Sequence, residues 1–181
     1  MRKITLAALA LASSAALVGV TAVPAFAAGT PVTVAVTDGG ISIAAPTESA
    51  ALTKSSADAN LDATATATLG TTTVTDLRTG VTPWHATVSL PALSDGAATP
   101  KTISTTNATY LANAATTEGT VEMAAITQVT GLDDATTPPT SQAASTVNGN
   151  NSAAWTATLT VKVPSETLVG DYSGTVTQSV L

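Results

Sequence analysis

The chain has no cysteine, which removes disulfides, a Cys-x-x-Cys redox site, thiolate metal ligation and a lipid-bearing cysteine together. Charge is nearly as scarce. Six Lys and Arg stand against 12 Asp and Glu in 181 residues, a net charge of −6. So few cations cannot build the phosphate-neutralising patch that nucleic acid requires, nor a basic stripe for anionic lipid. Aromatics number one Phe, two Tyr and two Trp, and there is a single His. The straight-chain helix formers Glu, Lys, Arg and Gln are also thin, so no segment carries the charge pairs of a surface helix.

What remains is Thr, Ala and Val, of which Thr and Val suit the pleated, half-buried surface of a strand. An all-β fold is therefore expected: a single antiparallel β-sandwich, Ig-like or jelly-roll-like, after an N-terminal signal peptide. Residues 1–27 pair a basic start, Arg2 and Lys3, with a long Ala/Leu/Val run that ends at Pro24 and Ala25-Phe26-Ala27. That is the pattern of a secretory signal cleaved after Ala27. The segment 28–181 is then expected to fold as one domain, with Lys54, Arg78, Lys101 and Lys162 as its cations. No second apolar run follows, so no membrane span is expected after signal removal, and the protein is expected outside the cell or on its wall. The last residues, QSVL, show no LPxTG-like sorting motif, so attachment would be non-covalent.

Along the chain, PVTVAV (31–36) and ISIAA (41–45) alternate around Asp38-Gly39-Gly40, which predicts a hairpin. Residues 46–61 read as a loop or a short helix, and DATATATL (62–69) as a strand of small side chains. At the centre lies TTTVTDLRTGVTPWHATVSL (71–90): a strand over 72–77, a Gly80/Pro83 turn, and a strand over 84–90. In the latter, Trp84, Ala86, Val88 and Leu90 share one face, and His85, Thr87 and Ser89 the other. Weak strands are expected over 101–104 and 108–112, and a longer one over 120–129. Residues 131–151, with Pro138-Pro139 and Asn148-Gly149-Asn150-Asn151, read as a long loop. AWTATLTVKV (154–163) is the clearest strand, with Trp155, Ala157, Leu159, Val161 and Val163 on one side. YSGTVTQSVL (172–181) closes the chain. Short strands joined by Gly/Pro/Asn turns spell a sandwich.

Three segments carry a family likeness: V-T-D-L-R-T-G at 74–80, W-H-A-T-V-S at 84–89, and V-P-x(7)-Y-S-G-T-V-T at 163–177. In this order they resemble the WxL-domain proteins of Gram-positive bacterial surfaces, secreted β-rich proteins that associate non-covalently with the cell wall. The sequence departs from that pattern twice. Ala86 stands where the name-giving Leu would be, and Gln178 where a second Trp would be. The resemblance implies a non-enzymatic surface module whose partner is a cell-wall polymer or another surface protein. Trp84, His85, Trp155 and Tyr172 are its candidate wall- or ligand-binding residues.

For the two tryptophans the alternation gives a competing reading, since each travels with the apolar row of its strand and would fill a sandwich core. His85 falls on a polar face with no carboxylate or nucleophile in its pattern, so neither a metal nor a general-base role is indicated. No GxSxG elbow is present. Asp133-Asp134 and Ser94-Asp95-Gly96 lack calcium-loop spacing, and Glu118 and Glu122 show no glycosidase pairing. No catalytic residue, cofactor or metal is expected. A pilus or surface-layer subunit and a secreted carbohydrate-active hydrolase are the alternative functions. An isopeptide link from Lys101 or Lys162 to an Asn has no spacing that selects it.

Overall fold

The computed structural model describes residues 33–181 apart from Asn60 and Ile126. The expected signal at 1–27, and the start of the 31–36 run, lie outside the described residues. Within the compact unit Ala35–Leu181 every regular element described is a strand, and every pairing is antiparallel. No helix among the described residues is long and apolar enough to cross a membrane. The chain is all-β, as its composition requires.

The trunk is a 24-residue strand, Thr140–Val163. It is the ninth in chain order, after β1 (Ile41–Ala44), β2 (Thr53–Lys54), β3 (Ala63–Asp76), β4 (His85–Ser89), β5 (Leu93–Ser94), β6 (Thr102–Ile103), β7 (Thr109–Ala112) and β8 (Thr116–Met123), and before β10 (Thr177–Val180). Along one edge β9 pairs first with β4, at Thr140 to Ala143, and then with β3, from Asn151 to Val163. Along its other edge run β8 and β7. β1 and β2 extend the sheet beyond β3, and β10 extends it beyond β4. Because β9 changes partner from β4 to β3, it carries the chain from one layer of the sandwich to the other. The two ends of the path, β1 and β10, approach each other, so the sheet nearly closes.

The core is the sum of the apolar rows. Trp84, Ala86, Val88 and Leu90 are buried, and Trp155, Ala157, Leu159 and Val161 join them with Val74 of β3 and Tyr110 of β7. Alternation places these side chains inward because successive strand residues point to opposite faces.

Several boundaries differ from the sequence expectation. Residues 62–69 and 72–77 belong to one strand, β3, interrupted by a bulge between Leu69 and Thr72. The extra residue shifts parity: Ala63, Ala65, Ala67 and Leu69 face inward before it, and Thr72, Val74 and Asp76 after it. A bulge of this kind lets one strand serve two registers. The expected hairpin of 31–36 with 41–45 does not form in the described part, since residues 33–40 carry no strand and β1 pairs with β3. Gly39 serves a close approach instead. Gly39 N–H donates to Leu77 O at 2.8 Å, and a Cβ on Gly39 would sit 2.5 Å from Leu77 Cβ.

The strand expected over 120–129 lies earlier, at Thr116–Met123, and the final strand is confined to Thr177–Val180. The largest correction concerns 131–151. Its second half, from Thr140, is the first half of β9. Gly149 adopts φ +70 within the strand and Gly119 φ +77 opposite it, where β8 and β9 shift register. Asn-Gly-Asn-Asn is thus absorbed as an irregularity in a continuous strand, not spent on a turn.

Two buried polar clusters tie the layers. At the end of β3, Arg78 donates to both oxygens of Asp76, Nε to Oδ1 at 2.9 Å and Nη2 to Oδ2 at 3.0 Å. Asn151 Nδ2 donates to Asp76 Oδ2 at 3.4 Å, and Asn151 Oδ1 accepts from Trp84 Nε1 at 3.2 Å. The Asp-Leu-Arg-Thr-Gly stretch thereby anchors the crossing from β3 to β4 against β9. The second cluster starts at Trp155, whose Nε1 donates to Tyr110 Oη at 3.3 Å. Tyr110 Oη donates to Gln178 Oε1 at 3.1 Å, and Gln178 Nε2 donates to Thr72 Oγ1 at 3.0 Å.

The Asp76 carboxyl is held below its ordinary value of 3.8, chiefly by the Arg78 side-chain hydrogen bonds and against the opposing effect of burial. Asp62, hydrogen-bonded by Lys162 and by the Ser165 backbone, is lowered as well. A carboxyl depressed in the folded state stabilises fully above its unfolded pKa, and that contribution is lost as pH falls through the folded value. The melting temperature is therefore expected to hold from neutrality to about pH 5 and to fall below about pH 4. A pH series of thermal melts checks this, and Asp76→Asn should show a shallower acid decline than the parent.

Candidate functional site

Of the four aromatic and imidazole candidates, two lie inside. Trp84 is 1% and Trp155 2% exposed, and each indole N–H is already spent on Asn151 or Tyr110. Neither ring offers a face to a ligand. His85 is exposed at the start of β4, where its backbone exchanges hydrogen bonds with Leu181, at 3.0 Å each way. Tyr172 is half-buried, and its Oη donates to Leu168 O at 2.9 Å. It is the one of the four that borders open concave surface.

Two grooves of about 500 and 490 Å³ adjoin along Leu52, Leu93 and Tyr172. The larger runs between the 45–52 segment and residues 172–178, over a floor of Ala67, Leu69 and Leu159. Its upper walls carry the hydroxyl residues Thr47, Ser49, Ser173 and Thr175, with Glu48 the only charged lining residue. The smaller lies beneath the 164–170 segment, over Ala63, Ala65 and Val161. Both exist because the inward row of β3 is alanine up to Leu69, and methyl groups leave open the volume that larger side chains would fill. Small side chains were legible in the sequence. The segments that wall them read as a loop or short helix over 46–61 and, past 164, as a turn and the start of the final strand, with no sign of a cleft.

Gln178 also lines the larger groove. Its amide is held by Tyr110 and Thr72. Lys162 pairs with Asp62 at 2.7 Å and Lys101 with Asp95 at 3.7 Å. Neither has an Asn among its hydrogen-bond partners in the described residues. Among the described residues no group of three or more His, Asp or Glu is placed to hold a metal ion. Glu118 and Glu122 lie on β8, and neither lines either of these two grooves. No family model, curated protein or solved structure matches the chain.

Proposed function

We propose that the protein is a secreted, non-enzymatic cell-surface module that holds wall polymer in the groove beside Tyr172. One observation carries this reading: an elongated groove with an apolar floor and hydroxyl-bearing walls, flanked by an aromatic edge. Apolar surface with a few placed polar groups is the ordinary make-up of a binding cleft, and an amphipathic Tyr at its border suits a sugar ring that is apolar on one face and polar at its rim. The ordered segments resembling WxL-domain proteins support the same role, as does the signal-like start of the chain. On this reading wall polymer lies at the Tyr172 groove, while the two buried indoles pack the core.

Co-sedimentation with cell-wall sacculi from a Gram-positive bacterium tests this. Parent protein should pellet with sacculi at moderate salt. Tyr172→Ala should bind about tenfold more weakly, a loss of about 1.4 kcal/mol, while Tyr172→Phe, which keeps the ring, should stay within about threefold. Unchanged retention by a folded Tyr172→Ala protein would exclude this groove, and no retention of the parent would exclude wall binding.

A further inference from the structure

Three of the four cations among the described residues are committed to carboxylates: Arg78 to Asp76, Lys101 to Asp95 and Lys162 to Asp62. Lys54 is the exception. Its backbone pairs with β3, but its side chain is in none of the ion pairs of the described residues, and it stands in the wall of the smaller groove. In a chain of net charge −6, a cation left uncommitted beside an apolar cleft is complementary to an anion brought there by an apolar body.

The lower part of the cleft is aliphatic. Ala63, Ala65 and Val161 form its floor. On its rim Leu61, Leu168 and Val169 are 71%, 62% and 94% exposed. Exposed aliphatics gathered at one cleft mark a contact surface. Its volume of about 490 Å³ is in the range of small-ligand sites. The floor offers methyl groups to an alkyl chain, and the wall above it adds the hydroxyl residues Ser165, Thr167 and Tyr172.

The geometry points to a binding site for a long-chain aliphatic carboxylate, with the chain along the alanine floor and the carboxylate at Lys54. The occupant is the free carboxylate and not a membrane. A single lysine on an acidic protein gains little from an anionic surface, where each basic residue is worth about 1 kcal/mol and several are needed. The cleft adjoins the Tyr172–Ser49 groove and shares Leu52, Leu93 and Tyr172 with it, but Lys54 lines this cleft and not the other, and carboxylate binding here does not depend on wall binding.

Isothermal titration of the purified protein with octanoate, decanoate and dodecanoate, each below its micelle concentration, is the test. Affinity should rise about fourfold per added methylene until the floor is covered. Lys54→Glu should weaken decanoate about tenfold and leave 1-decanol unchanged. Val169→Asp, at a fully solvated rim position, should weaken both ligands without loss of fold. Absence of binding, or an affinity independent of chain length, would overturn the site. Equal affinity of parent and Lys54→Glu for decanoate would overturn the role of the cation. Pelleting with anionic phospholipid vesicles in the absence of decanoate binding would overturn the choice of ligand.

Discussion

Trp84→Ala is expected to cost about 3–5 kcal/mol of folding free energy. The indole is 1% exposed and sits where β4 begins, packed within the cluster formed by both layers. Its removal deletes a large share of the few big side chains this core possesses. It also leaves Asn151 Oδ1, buried and formerly an acceptor of the indole N–H, without its partner, which adds an unmet polar group to the cavity. Domains of this size are stable by about 5–15 kcal/mol, so the variant approaches the limit of folding. In urea titrations the midpoint should drop sharply with little change in slope. Trp84→Phe separates the two effects, because it refills most of the volume but still orphans the Asn151 oxygen. A loss of about 1–2 kcal/mol is expected there.

Asp76→Ala is the second large effect, at about 3 kcal/mol. The Asp76 side chain is 4% exposed and its partner Arg78 26%, so the pair is mostly withdrawn from water. Deleting the carboxylate removes two bonds from the Arg78 guanidinium and one from the Asn151 amide, leaving them only Thr82 O and Gly149 O as acceptors and the cation without its counter-charge. Breaking one side of such a pair costs far more than the pair contributes net. Arg78→Ala should cost less, because Asp76 keeps the Asn151 bond and can take up a proton. In the double variant the penalties should fall short of their sum by more than about 1 kcal/mol, since the two side chains form one network. Equilibrium unfolding of the three variants measures that coupling.

These two residues also show what the sequence made legible. Trp84 and Trp155 each open an alternating row, and the alternation placed both with the apolar set that turned out to be core. The Gly80/Pro83 turn placed a crossing after the 72–77 strand, and Asp76 and Arg78 hold it. Its chemistry was hidden, because the third partner, Asn151, lies in a stretch read as loop. Asn148-Gly149-Asn150-Asn151 has turn composition, yet β8 and β3 flank it on both sides, and tertiary pairing overrode the local preference. The same override joined 62–69 to 72–77 through a bulge. The grooves were the least legible part. They arise from what Ala63, Ala65 and Ala67 do not fill, and a missing side chain leaves no motif. Tyr172 could be singled out as a scarce aromatic, but its place between two clefts depends on how 45–52 and 164–175 fold back over β3.

The most direct measurement is backbone amide exchange of the protein with and without soluble fragments of the cell wall. Added protection confined to 45–52 and 172–178, at fragment concentrations that saturate co-sedimentation, is the expected result. Protection centred on β8 or on the His85 end of β4, with none beside Tyr172, would contradict a wall-binding groove on that side of the sandwich.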